Sequence, residues 1–185
     1  MPVEVIVLNG GSSSGKSSLA RCLQSLLPNP WLTLAGDDLL EAMPPAMFAS
    51  EDGIVLAPDG QIVVGPGFRT LEAAWSQGVA AMARAGAGII LDVVLLQGAV
   101  AQSRWKRVFD GLAVLWVGVR CDPLVAAARE AARGDRMLGM ALLQAHKVHQ
   151  GMVYDMQVDT THSSTEDCAR QIADHVVAES YPTAG

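Results

Sequence analysis

The stretch "VEVIVLNGGSSSGKSSLARCLQSLL" (3–27) decides how the rest of the chain reads. Its first part, "VEVIVLN" (3–9), is β-branched and almost wholly apolar, the composition of a strand buried on both faces. Its last part, "SLARCLQSLL" (18–27), is patterned like a helix. Between them lies a loop of glycines and serines holding Lys16, one of only three lysines in the chain. Strand, loop and helix together open a βα unit, and the chain repeats that rhythm. Strand-like runs recur at "WLTLAG" (31–36), "GIILDVVL" (88–95), "LAVLWVGVR" (112–120) and "MQVDT" (156–160). Helical patterns lie near 16–26, 68–85, 98–110, 122–133, 137–149 and 165–178. The alternation predicts an α/β fold of three layers, with a five-stranded parallel sheet and helices on both faces.

One segment breaks the rhythm. "GIVLAPDGQIVVG" (53–65) sets "PDG" between two short β-like runs and reads as a hairpin. With "MPPAMFASED" before it, it forms an insertion at about 44–67. Such insertions in compact domains tend to be binding elements. The expected organisation is a single domain over 1–180.

Composition narrows the function. Half of the 185 residues are hydrophobic, 17% are charged and the net charge is -6. That is a globular composition with no basic surface for nucleic acid, so a small-molecule partner is expected. Cys22, Cys121 and Cys168 are odd in number and scattered, with no metal or disulfide spacing. The opening residues lack a basic stretch and a cleavage site, and no apolar run reaches membrane-spanning length. These features predict a cytoplasmic protein away from membranes; a homo-oligomer is compatible with them.

Gly10-x-x-x-x-Gly15-Lys16-Ser17 matches the phosphate-loop pattern at every fixed position, with a strand before and a helix after. Glycines let successive N–H groups turn inward as a nest for phosphate oxygens, and the helix adds its positive end. Gly10, Gly11, Ser12, Ser13, Ser14, Gly15, Lys16, Ser17 and Ser18 are therefore the expected nucleotide-binding residues. Lys16 would reach the β- and γ-phosphates of ATP, and the Ser17 hydroxyl would join the shell of a Mg²⁺ ion.

The loop does not name the phosphoryl acceptor. No NKxD or DxxG element of a switch GTPase is found, and the chain is short for a motor ATPase. A small kinase needs a base, a cationic lid and an acceptor pocket. Asp37 and Asp38 follow the second strand at its carboxyl end, where ligands of open α/β sheets bind. Asp37 is the expected base and Asp38 the expected helix cap. In "REAARGDRMLGMA" (129–141), Arg129, Arg133 and Arg136 surround Gly134 and form a candidate lid. Their alternative is a solvated helix face paired with Asp135. Asp92 ends the third strand and either holds Mg²⁺ through water, sits near the acceptor or caps the strand. Met43, Met47 and Phe48 could wall an acceptor pocket, although such residues often serve as core. The four tryptophans read as packing residues, and His146 and His149 as structural or surface residues. "VDTTHSST" (158–165) caps the last helix.

Taken in order and spacing, the phosphate loop, "WLTLAGDDLLEAMP", "VLWVGVRCDP", "REAARGDRMLGMA" and "YDMQVDTTH" resemble the chloramphenicol 3-O-phosphotransferase family. The likeness runs from about residue 4 to residue 178. It implies a nucleotide-kinase fold and transfer of the ATP γ-phosphoryl group to the primary hydroxyl of chloramphenicol. It also implies that Asp37 is the base, with Lys16, Arg133 and Arg136 acting on the phosphates. Two positions depart from the family pattern. The third strand ends in Asp92–Val93 rather than in two acids, and Asp38 replaces a small hydroxyl residue after the base. A kinase of another hydroxylated small molecule, or a nucleotide-binding regulatory module, stay open as alternatives at this point.

Overall fold

The computed structural model describes residues 2–56, 62–133 and 139–180. Five strands form one parallel sheet: β1 (Val5–Asn9), β2 (Trp31–Ala35), β5 (Gly88–Val93), β6 (Val114–Arg120) and β7 (Met156–Asp159). Their order is β2-β5-β1-β6-β7. The two short strands β3 (Ile54–Leu56) and β4 (Ile62–Val64) form a separate antiparallel pair. Among the described residues the helices are α1 (Lys16–Leu26), α2 (Gly36–Ala42), α3 (Pro66–Arg84), α4 (Ala99–Val108), α5 (Pro123–Arg133), α6 (Met140–Lys147) and α7 (Thr165–Ser180). A 3₁₀ turn, Pro45–Met47, follows α2.

Strand alternation builds the three layers. On β1, Ile6 and Leu8 face a cluster with Leu19, Leu23, Cys168 and Ile172 of α1 and α7. Val5 and Val7 face the opposite cluster, with Val79, Ala80 and Ala83 of α3. Val5 to Leu8 are all fully buried, which explains why these four positions are all apolar rather than every second one. Trp105 on α4 meets Trp75 edge-on, with ring centroids 5.9 Å apart, and stacks near Phe109 at 5.0 Å. The tryptophans are thus packing residues, as expected.

The insertion has its own small core. Leu39, Met43 and Phe68 are buried together, with Met47, Ile54, Val64 and Trp75 packed around them. This cluster joins α2, the hairpin and α3. The pair Ile54↔Val64 closes the base of the hairpin, as the sequence predicted. Its "PDG" turn lies outside the described residues. Backbone crowding locks the base: a Cβ on Gly65 would come within 2.0 Å of the Glu51 carbonyl oxygen. Asp52 fastens the start of α3 by accepting from the Gly67 N–H at 2.9 Å.

Candidate active site

The sheet order sets the site. β1 lies between β5 and β6, and the loop that follows it runs from the centre of the sheet into α1. Gly10 is required by a close approach, because a Cβ there would stand 2.6 Å from the Val119 carbonyl oxygen on β6. Gly15 has φ of 89° and Ser13 has φ of 57°, so two left-handed residues bracket Ser14. Such alternation turns consecutive N–H groups toward one side, the geometry of an anion nest. For Ser13 the conformation is uncommon and costs local strain.

Side chains hold this loop from several directions. Thr160, just after β7, donates its hydroxyl to the Ser14 carbonyl at 2.8 Å. Gln144 of α6 accepts from the Ser12 N–H at 2.8 Å. Lys16 is buried and donates from Nζ to the Gly11 carbonyl at 2.8 Å. Its ammonium also stands 3.7 Å from Asp92 Oδ1. Ser17 donates from Oγ to the other Asp92 oxygen at 2.7 Å. The structure therefore joins three of the predicted residues, Lys16, Ser17 and Asp92, in one contact set. Among the described residues, the hydroxyls of Ser12, Ser13 and Ser14 are buried without a hydrogen-bond partner. Buried hydroxyls of this kind call for a polar partner, whether water or ligand.

A second polar group braces the base of the loop. Asn9, fully buried at the end of β1, donates to the Val148 carbonyl at 2.8 Å and to Tyr154 Oη at 2.7 Å. Its own Oδ1 accepts from Leu95 N–H at 2.9 Å. Tyr154 Oη is also 2.6 Å from His149 Nδ1. Since Asn9 supplies a donor to this oxygen, the phenol proton is left for His149. Burial first, then the charges of Arg120, Lys16 and His146, lower the His149 pKa from 6.5 to about 4, so the ring is neutral at pH 7. Burial also raises the pKa of Tyr154.

Asp37 is exposed, the second residue of α2, directly beyond the carboxyl end of β2. The register pairs Ala35 of β2 with Asp92 of β5, which brings the start of α2 to the same sheet edge as the phosphate loop.

The chain matches the chloramphenicol phosphotransferase-like protein family over residues 3–177. It belongs to that family. The phosphotransferase is also 31% identical to a proposed O-phosphotransferase of Mycobacterium tuberculosis, over 98% of this chain and 85% of the relative. Among solved structures, an unliganded sugar kinase from Janibacter matches 94% of each chain with TM-score 0.67 and 15% identity. The APS kinase of M. tuberculosis, solved with AMPPNP and APS, matches 95% of this chain and 98% of its own with TM-score 0.62 and 16% identity. These likenesses confirm the fold, that of a P-loop kinase. The family makes the protein an enzyme of phosphoryl transfer. No helix among the described residues is long and apolar enough to cross a membrane.

Asp38 of the phosphotransferase caps α2, as expected, but from inside the helix: Ala35 holds the N-cap position, and Asp38 at the third helical residue reaches back to accept from Ala35 N–H at 2.7 Å. The helix begins at Gly36, so the strand passes into it without a loop. Arg129, from the candidate lid, donates to the Thr160 carbonyl just after β7 at 2.8 Å. Arg133 is exposed, the last residue of α5. Arg136 lies outside the described residues. Met43 is core rather than pocket wall, and Met47 is half-buried against it, whereas Phe48 is exposed. At the start of α7, Ser164 accepts from Asp167 N–H at 3.0 Å, the expected cap.

Sequence reading missed Asn9, Glu130, Gln144 and Tyr154. Glu130 is buried and accepts from the N–H groups of Gly139 at 2.7 Å and Ala141 at 2.9 Å, which caps α6. One signal was available. Ala141, Gln144, Ala145 and Val148 share one helix face, so a glutamine sits in the middle of a face otherwise small and apolar.

Proposed function

We propose that this phosphotransferase is an ATP-dependent kinase that moves the γ-phosphoryl group to the primary hydroxyl of chloramphenicol and thereby inactivates the antibiotic. The observation that carries the reading is the Lys16–Asp92–Ser17 contact set at the phosphate loop, with Asp37 on the neighbouring strand-to-helix junction. Membership of the family supports the choice of acceptor.

In this reading the loop from Gly10 to Ser18 binds ATP through its inward N–H groups and the buried serine hydroxyls. Lys16 exchanges the Gly11 carbonyl for the β- and γ-phosphates. Ser17 and Asp92 supply hard oxygen donors, the set that Mg²⁺ takes, and would hold that ion. When bound, Mg²⁺ neutralises phosphate charge. Asp37 orients the acceptor hydroxyl and takes its proton as the oxygen bonds to the γ-phosphorus. The bond from that phosphorus to the β–γ bridging oxygen breaks, and ADP leaves. Arg133 and Arg136 spread the charge that develops on the transferring group.

A second reading, a kinase of another hydroxylated small molecule, has one observation in its favour. Val93 is buried in the core under α3, so the position where the family carries a second acid offers the acceptor no carboxylate. ADP release from Mg-ATP with and without chloramphenicol, followed by mass spectrometry of the drug, separates the two. Gain of one phosphoryl group on the primary alcohol establishes the first reading. Unstimulated turnover in a protein that binds ATP moves the acceptor to another alcohol.

A further inference from the structure

A nest made of backbone N–H groups works only if the backbone is held in shape before the phosphate arrives. The first half of this loop is glycine and serine, the composition least able to hold itself. Its ties are few. Lys16 holds the Gly11 carbonyl, but that contact is given up if the ammonium turns to the phosphates. Thr160 holds the Ser14 carbonyl at the far end. Between them the Ser12 amide is held by Gln144, a buried side chain 132 residues away in sequence.

The helix that carries Gln144 is itself fixed. Glu130 of α5 caps its first turn through two N–H groups. Its backbone packs directly on the loop, since a Cβ on Gly11 would lie 3.4 Å from the Ala145 nitrogen. Ala141 is fully buried on the same face. At the end of the helix, Val148 accepts from Asn9, the residue just before the loop.

We propose that Gln144 is a positioning residue for phosphate binding: its side-chain carbonyl fixes the Ser12 amide and so keeps the first half of the nest in its binding shape when Lys16 transfers to the nucleotide. This rests on the reading of Gly10–Ser18 as the ATP site. Gln144 acts through the loop and needs no contact with the reacting atoms.

The test is calorimetric binding of Mg-ATP to the full chain, with no acceptor present, for wild type and Gln144→Met. Methionine keeps the length and volume of the side chain and removes the acceptor oxygen. The expected result is affinity weakened by about tenfold, the weight of one buried hydrogen bond, with the acceptor KM unchanged. Gln144→Glu keeps an oxygen at this position, and Ser12 amide exchange in nucleotide-free protein should stay as slow as in wild type; in Q144M it should be about tenfold faster. The exposed neighbour change Leu143→Ala should alter neither quantity. Equal Mg-ATP affinity in Q144M and wild type overturns the proposal, as does Ser12 exchange that is the same in Q144M and Q144E. If wild type itself fails to bind Mg-ATP, the reading of the phosphate loop falls instead.

Discussion

The two ends of the catalytic edge are built in different ways. At the phosphate end, backbone does the recognising: Gly10 is pressed against β6, Gly15 and Ser13 take left-handed angles, and polar side chains from α6 and the β7–α7 connection hold the loop from outside. At the proposed acceptor end, side chains would do it: Asp37 stands exposed on a short helix, and α2, the hairpin and α3 share a small core of Leu39, Met43 and Phe68. In the proposed function the first end would serve a ligand common to many kinases, and the second a ligand particular to this one. A backbone nest demands glycine at fixed spacing, whereas an acceptor pocket can be made by many side-chain sets.

If that contrast holds, changes at the phosphate end should damage nucleotide binding and folding, and changes at the acceptor end should spare both. The largest effect is expected for Lys16→Met, which should cut turnover by about a thousandfold and weaken Mg-ATP binding, read by steady-state kinetics and calorimetry. Gly10→Ala comes next. Its methyl would meet a backbone oxygen of β6 that has nowhere to move, so a loss of about 3 kcal/mol in denaturant unfolding is expected.

Glu130→Ala leaves two helix-start N–H groups of α6 without their acceptor and should cost about 2 kcal/mol by the same measurement. It should also weaken nucleotide binding, because α6 carries the contact to Ser12. Were stability to fall with Mg-ATP affinity intact, α6 would be separable from the loop, and the contrast would need redrawing.

The smallest effect concerns pH. His149 has its pKa lowered to about 4 in the fold, against 6.5 when unfolded. Between those values the unfolded chain binds a proton that the folded one refuses. The contribution is therefore complete above about pH 6.5 and declines as pH falls toward 4. Unfolding midpoints across that range should slope less steeply in His149→Gln. An equal slope would mean that burial and the neighbouring cations do not hold the His149 ring neutral across that range.

Legibility followed the same division. The central strands could be read because β1, β5 and β6 are long, mostly apolar runs, and the phosphate loop because its backbone demands particular residues at particular spacing. The start of α2 was harder. Asp37 and Asp38 both look like caps, and only the fold shows the helix beginning at Gly36 with Asp38 reaching back to Ala35. Arg129 bonds the Thr160 carbonyl, a pairing no local pattern records. Asn9 with Tyr154 and Ser12 with Gln144 are each bridged across more than a hundred residues of chain. Polar residues at such distances read as solvated until the sheet order brings their elements together.

The central claim is that the phosphate loop binds the nucleotide while Asp37, at the other end, acts on the acceptor hydroxyl. Asp37→Asn tests it most directly, because asparagine keeps the shape of the side chain and removes its basicity. Mg-ATP affinity and acceptor-dependent turnover should be measured on the same preparation. The account predicts unchanged affinity and a loss of kcat of about a hundredfold. Undiminished turnover would remove Asp37 from the chemistry and contradict the account.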